Sequence, residues 1–281
     1  MKVSVLVENS VCRNCLNSET LEGEHGLSVH IELNNTKILF DTGQTDMFSR
    51  NAEKMGIDLS EVDYLIISHG HYDHGGGLKE FFRLNKKAEV YMHRKALGEY
   101  YSASKGNPRY IGIDKEVINE NIDRISLIDD DAVITEGVQV LSGFPKDFPL
   151  PKGNKLLFEK QNGELVNDKF EHEILLVISE NDKNIVFTAC SHSGVINMVN
   201  RAEEYLSHSK IEAVLGGFHL SSKGKNAESP KYLDDLVRAI EKFDVPFYTG
   251  HCTGEENFIN LKNKLGENLK SMNSGEVIDF F

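Results

Sequence analysis

The chain has 281 residues, of which 40% are hydrophobic and 27% charged, a balance that suits a globular protein with a substantial core and excludes disordered or fibrous classes. Its formal net charge of −13 argues against a nucleic-acid binder or a protein of acidic membranes, because most of the surface would repel phosphate. Any anionic substrate must therefore be met by local cations.

Met1-Lys2 leads straight into the strand-like run Val3-Ser4-Val5-Leu6-Val7, which reads as structure rather than as a signal sequence. No apolar run approaches the roughly twenty residues of a membrane span, so the expected location is the cytoplasm. Cys12 and Cys15 form a C-x-x-C with no second such pair. They are expected to be two reduced thiols in a loop, with a redox pair or half a zinc site as the alternatives. Further β-rich runs cover Leu27 to Leu33 and Thr36 to Phe40, joined by the turn Asn34-Asn35. Met47, Phe48, Ala52 and Met55 lie at helical spacing over Asp46 to Met55, and Gly56 stops the helix. The continuous apolar run Tyr64-Leu65-Ile66-Ile67 predicts a buried central strand. Gly75-Gly76-Gly77 then turns the chain into a helix near Leu78 to Leu84, and Glu89 to Met92 reads as a strand.

From Arg94 to about Asp131 the periodicity weakens. A long irregular insertion in a compact domain is usually functional or disordered, and the expectation here is a lid near 94–131 within a single domain spanning 1–281. Strands return at Ala132 to Leu141 and Lys155 to Glu159, separated by the proline-bearing loop 144–151. Ile174 to Ile178 and Ile185 to Ala189 follow as a second β block that mirrors the first. Helices are predicted over Val195 to Leu206, Pro230 to Phe243 with Ser229 as N-cap, and Glu255 to Leu265. They alternate with strands at Ile211 to Leu215, Val245 to Thr249 and Glu276 to Phe280. The layout is two β-rich halves, each carrying helices.

His69-x-His71-x-Asp73-His74 gathers three imidazoles and a carboxylate within six residues. Two histidines at i and i+2 leaving a strand point to the same side and can share a cation, while Asp73 and His74 aim at a second position. Imidazole and carboxylate suit zinc, iron, nickel or manganese, which restricts the metal without fixing it. More donors follow apolar runs downstream: Cys190 and His192, then His219, then His251 and Cys252. In α/β sheets ligand sites gather at the carboxyl ends of strands, where all of these are predicted to fall. His30, His93 and His208 read as surface or core polar residues, and Cys252 as packing.

Asp41-Thr42-Gly43, His69 to His74, Thr188-Ala189-Cys190-Ser191-His192 and Thr249-Gly250-His251 resemble the motifs of the metallo-β-lactamase superfamily of metal-dependent hydrolases over nearly the whole chain. Glu24-His25-Gly26-Leu27-Ser28, Gly43-Gln44, Cys190 to Gly194 and Gly217-Phe218-His219-Leu220 look most like the branch that includes dihydropterin-ribofuranosylaminobenzene-phosphate synthases. The resemblance implies an α/β fold, the αββα four-layer sandwich, with two divalent ions, zinc foremost and manganese or iron as alternatives. It implies that His69, His71 and a third histidine hold one ion, and that Asp73, His74 and His251 hold the other. His192, beside a strand end, is favoured over His172 as the third histidine, and Cys190 stands where many relatives place a bridging aspartate and could give a thiolate.

Paired divalent ions lower the pKa of a shared water toward about 7, so the expected nucleophile is a metal-bridged hydroxide. Asp73 would orient it and take its proton. His219 is read as a catalytic or supporting residue, and His25, Lys105 and Arg109 as substrate contacts. The expected function is hydrolysis of a small phosphoester, ester or lactone. The alternatives are a transferase joining a pterin pyrophosphate to a ribofuranosyl-aminobenzene phosphate, and a non-catalytic metal or ligand sensor. A di-iron oxidoreductase ranks below these, since such relatives commonly carry Glu where this chain has His71. The expected partner is a small anionic molecule, without nucleic acid or membrane, and a homo-oligomer is left open.

Overall fold

The computed structural model describes every residue except Asn17, His208 and Phe281, so the expectation for His208 lies outside the described residues. The chain falls into two units. The first comprises Met1–Gly98, Ile111–Asp129 and the residues from Met272 onward, and the second comprises Glu99–Tyr110 and Asp130–Ser271.

Among the described residues, the first unit holds one seven-stranded mixed sheet, its strands numbered here along the whole chain. β1 (Lys2–Val7), β2 (Ser28–Leu33) and β3 (Thr36–Phe40) pair antiparallel. β4 (Tyr64–Ile67), β5 (Glu89–His93) and β8 (Ile125–Ile128) extend the sheet in parallel. β18 (Val277–Asp279) closes the other edge against β1. Leu65, Ile66 and Ile67 are fully buried, as a parallel strand covered on both faces requires. The helices of this unit are α1 (Met47–Lys54), the single turn α2 (Tyr72–Gly75), α3 (Leu78–Leu84) and α4 (Lys115–Glu120). α1 ends as predicted at Gly56, whose φ of 72° lets its N–H reach the Glu53 carbonyl while Ile57 N–H reaches Ala52, a glycine-dependent helix stop. Phe48, Phe81, Leu39, Leu65, Val90 and Met92 share one buried cluster, and each such side chain contributes about 1.5–3 kcal/mol by leaving water.

The second unit repeats the plan. β9 (Ala132–Thr135), β10 (Val138–Leu141), β13 (Leu175–Glu180) and β14 (Lys183–Ala189) pair antiparallel, and β15 (Ile211–Gly216), β16 (Phe247–Thr249) and β17 (Leu269–Ser271) continue in parallel. A small sheet, in the order β12-β11-β6-β7, joins β6 (Tyr100–Ser102), β7 (Arg109–Tyr110), β11 (Leu157–Gln161) and β12 (Glu164–Asn167). The helices are α5 (Val195–Tyr205), α6 (Pro230–Ile240) and α7 (Glu255–Leu265). The Ser229 hydroxyl caps α6 by accepting from Tyr232 N–H, with Pro230 in its first turn. One mixed sheet with helices in each unit is the make-up expected for an α/β protein of the αββα class.

Three expectations are corrected. Ala132 to Leu141 is a hairpin of two strands rather than one, because Gly137 (φ 74°) turns the chain between them. Residues 94–131 are not irregular: they carry β6, β7, α4 and β8, elements of two to six residues too short to register as periodicity. Cys12 and Cys15 are not two reduced thiols but a disulfide, with Cα atoms 5.6 Å apart, a separation within the range such a bridge needs. No helix among the described residues is long and apolar enough to cross a membrane.

His30 sits in β2 opposite Ser4 and Leu39, 1% exposed, and neither ring nitrogen makes a hydrogen bond among the described residues. Burial lowers its pKa from 6.5 to about 4, against a smaller opposing pull from Glu32. The folded state therefore holds the neutral ring, whereas the unfolded chain takes up a proton below about pH 6.5. The resulting stability is fully present above that pH and is lost as pH falls toward 4. At about 1.4 kcal/mol per pH unit the loss amounts to roughly 3 kcal/mol. Urea unfolding measured between pH 7 and 4 should show this fall in wild type and a correspondingly flatter profile in His30→Leu; equal slopes would contradict it.

Candidate metal centre

In the first unit the motif leaves the carboxyl end of β4. Ser68 and His69 follow the strand directly, and His71 is the extended residue (φ −98°, ψ 147°) that caps the one-turn α2 carrying Asp73 and His74. Both sides of this short segment are tied down. Tyr72 N–H donates to the Ile111 carbonyl at 2.8 Å, and Thr42 N–H donates to the His74 carbonyl at 2.7 Å. Gly76 and Gly77 permit the second tie, since a Cβ at either would collide with the carbonyl of Gln44 or of Thr42. The predicted i, i+2 geometry is present: the His69 and His71 rings lie 4.6 Å apart, and the His69 and His74 rings 4.2 Å apart.

Asp41 follows β3 with a left-handed backbone (φ 62°) and is wholly buried. Its Oδ1 accepts Ser68 N–H at 2.8 Å, and its Oδ2 accepts the Ser68 hydroxyl and His74 Nδ1–H, each at 2.7 Å. A hydroxyl that spends its proton on this carboxylate can only accept from His69 Nδ1, 2.8 Å away. Both imidazoles therefore carry their proton on Nδ1, leaving the Nε2 lone pair for a cation. Asp73 Oδ2 lies 3.2 Å from His25 Nε2 and 3.8 Å from His74 Nε2. His25 itself is half exposed, its side chain 52% accessible. Glu24 braces this loop by accepting from Gln44 N–H, Thr45 N–H and the Thr45 hydroxyl.

The second unit presents its donors at the carboxyl ends of β14, β15 and β16. Cys190 and His192 follow β14, His219 follows β15, and His251 and Cys252 follow β16. Left-handed backbone at Ala189, Ser191, His219 and His251 folds each segment sharply back at its strand end. His192 is held from several directions. Its backbone N–H and that of Ser193 donate to the buried Glu173 carboxylate, both at 2.7 Å. Burial pushes the Glu173 carboxyl above the usual range, with these backbone donors acting the other way. The Phe170 ring stacks on His192 at 4.6 Å and 7°, and the His219 ring lies 4.2 Å from it.

Asn154 fixes the His192 tautomer. Its Nδ2 donates to the His192 carbonyl at 2.8 Å, so the opposite end of the amide is the oxygen, 3.4 Å from His192 Nδ1. That nitrogen must then carry the proton, again leaving Nε2 as the lone-pair donor. Cys190 and Cys252 are buried and belong to no disulfide. Burial opposes ionisation of the Cys252 thiol, but contacts with Cys190, His219 and His251 outweigh it and hold the thiol well below its ordinary pKa.

The other candidates occupy different settings. His172 is buried and donates Nε2–H to Asp168 at 3.0 Å, beneath the Tyr100 ring at 4.1 Å. Lys105 and Arg109 are exposed, Lys105 in the turn between β6 and β7 and Arg109 in β7. His93 is buried, with its Nε2 3.1 Å from the Asp129 carbonyl, and Nδ1 accepts from Lys95 N–H. Sequence reasoning missed Glu173 and Asn154, and no spacing rule could have found a single polar residue in each of two distant loops. The donor chemistry fits divalent cations: three imidazoles, each with Nδ1 committed to a partner, together with a carboxylate and thiols.

A family model described as the metallo-beta-lactamase superfamily matches residues 21–192. The chain belongs to this superfamily. An uncharacterized protein of Methanocaldococcus jannaschii is 31% identical over 90% of both chains. The 7,8-dihydropterin-6-methyl-4-(beta-D-ribofuranosyl)-aminobenzene-5'-phosphate synthase of the same organism is 27% identical, over 92% of this chain and 90% of its own. The crystal structure of Tm1679, a metal-dependent hydrolase of the beta-lactamase superfamily, is 30% identical and superposes over 100% of this chain and 99% of its own with a TM-score of 0.81. The α/β metallo-β-lactamase fold expected from the motifs is thus present.

Asp41→Asn should keep the left-handed backbone, which asparagine tolerates, while blurring the proton placement on His74 and Ser68. Metal affinity, measured by competition with a chelating dye, should fall about 10–100-fold, and Asn154→Leu should lower it similarly. Unchanged affinity in both would show that these tautomer clamps do not bear on metal binding.

Proposed function

We propose that this protein is a metal-dependent hydrolase of a small anionic phosphoester, ester or lactone, working with two divalent ions, zinc foremost. Superfamily membership supports the class, and the observation that carries the reading is the protonation pattern around Asp41, which puts the ring proton of His69 and of His74 on Nδ1 and so leaves each Nε2 unprotonated and able to ligate. The proposed ligands are His69, His71, Asp73 and His74 in the first unit and Cys190, His192 and His251 in the second.

When bound, such ions lower the pKa of water toward neutrality and polarise a phosphoryl or carbonyl oxygen. The residues supply the rest. Asp73 Oδ2, already facing His25 Nε2 at 3.2 Å, receives the proton released on attack, and half-exposed His25 can pass it to solvent. His219, whose ring packs against that of His192, would donate a hydrogen bond to substrate or leaving group. Lys105 and Arg109 are cations for an anionic substrate on a surface that is otherwise acidic. In the proposed cytoplasmic setting, where thiols are kept reduced, the Cys12–Cys15 bridge would be a redox couple rather than a permanent staple.

A second reading follows from the 27% identical synthase: transfer of a pterin unit from its pyrophosphate to a ribofuranosyl-aminobenzene phosphate. Here pyrophosphate release would require the second substrate, whereas hydrolysis would not.

Metal content per chain, measured by plasma mass spectrometry together with phosphodiester turnover, separates these readings. Two ions and turnover are expected in wild type, with Asp73→Ala and His192→Ala each losing metal and at least 100-fold of activity. Two ions without turnover would favour the transferase or a ligand sensor, and no metal in any preparation would overturn the metal centre itself.

A further inference from the structure

We propose that Cys252 joins Cys190 and His251 as a third protein donor, so that one ion is held in the second unit through two sulfurs and an imidazole. The proposal rests on the metal-dependent reading above and goes beyond it by adding a ligand and setting the class of ion.

The three residues come from the loops that follow β14 and β16. Their side-chain donor atoms all lie within 4.8 Å of one another, and the residues are only 2–4% exposed. Donor atoms on a tetrahedral zinc with ordinary bond lengths lie about 3.5–3.8 Å apart. The triad therefore needs to close by no more than about 1.3 Å to take a cation. Left-handed backbone at Ala189 and Ser191, on either side of Cys190, and at His251 turns these donors back toward each other rather than onward along the strand direction.

The simpler alternative is that two small buried thiols merely fill space. The surroundings of the Cys252 sulfur argue otherwise. It accepts His219 backbone N–H at 3.3 Å and, as a thiol, donates to the Cys190 carbonyl at 3.4 Å, a bond it would give up on ligating a cation; both contacts are polar, unlike the apolar pocket that suits an inert thiol. An N–H aimed at sulfur is an outer contact that steadies a thiolate ligand. Gly217 makes room for it, since a Cβ there would collide with Cys252 Sγ. Two thiolates and an imidazole favour zinc, or cobalt and cadmium in its place, over magnesium, calcium or manganese.

The test uses the full chain with Cys12→Ser and Cys15→Ser, so that the remaining cysteines of the four are Cys190 and Cys252. Metal-free protein is titrated with cobalt(II), and absorbance is followed in the near ultraviolet, where sulfur-to-cobalt charge transfer appears in proportion to the number of thiolates. The band should be present, fall to about half in Cys252→Ser and in Cys190→Ser, and vanish when both are serine. Cadmium-113 NMR of the protein that keeps both thiols needs no change at position 252, and should show a resonance shifted downfield to the two-sulfur range. A cobalt band untouched by Cys252→Ser, or a cadmium shift in the one-sulfur range, overturns the role of Cys252. Cobalt bound without any charge-transfer band overturns sulfur ligation altogether while leaving the metal centre intact, and failure to bind cobalt at all overturns the metal reading itself.

Discussion

The candidate site depends on a backbone constraint: at strand ends in both units the chain reverses through left-handed residues that are not glycine. Asp41 after β3, Ala189 and Ser191 after β14, His219 after β15 and His251 after β16 all have φ between 48° and 62°. Such conformations cost of order 1–3 kcal/mol each and persist where the surrounding structure over-determines them. Here the surroundings are β3, β14, β15 and β16, whose three residues nearest each turn are all buried. The rigid strands hold the endpoints, and the strained turns hold polar side chains that would otherwise swing to solvent.

A second layer converts position into chemical state. A buried carboxylate is costly unless several donors satisfy it, and Asp41 has three. The same three bonds dictate where the protons on His74, Ser68 and His69 must lie. In the second unit the same result is reached by different means: the carbonyl of His192 orients the Asn154 amide, and the amide then orients the ring of His192. Glu173 acts on the backbone of that loop rather than on the ring. Each unit thus sets imidazole tautomers with its own apparatus.

Legibility in the sequence followed the length scale of each signal. Buried central strands such as Tyr64-Leu65-Ile66-Ile67 and Ile185 to Ala189 were visible because burial on both faces forces a continuous apolar run. The helices from Met47, Leu78 and Glu255 were visible from their periodicity and stops, and the histidine motif from the density of donors in six residues. The hairpin between Thr135 and Val138 was hidden because Val-Ile-Thr and Val-Gln-Val read as one alternating strand across the two residues Glu136-Gly137. The short elements β6, β7 and α4 fell below any window that detects periodicity. Asn154 and Glu173 could not be found, since their importance arises from a fold that brings distant loops to one histidine. The C-x-x-C admitted both thiol states, and local spacing alone could not choose the disulfide.

The pairing of β18 with β1 has a consequence for the order in which the protein is made. Residues 274–279 knit to the first dozen residues through Val5, Ser10, Cys12 and the β1 ladder. Ribosomal synthesis delivers β1 long before its outer partner β18, so the N–H and C=O groups along that edge wait unpaired while the intervening residues are made. The second unit, mostly the continuous run from Asp130 to Ser271, emerges complete before them. The first sheet is therefore completed only after the second unit has been made, and an edge strand that must wait for its partner is the stage at which a chaperone would have most to protect.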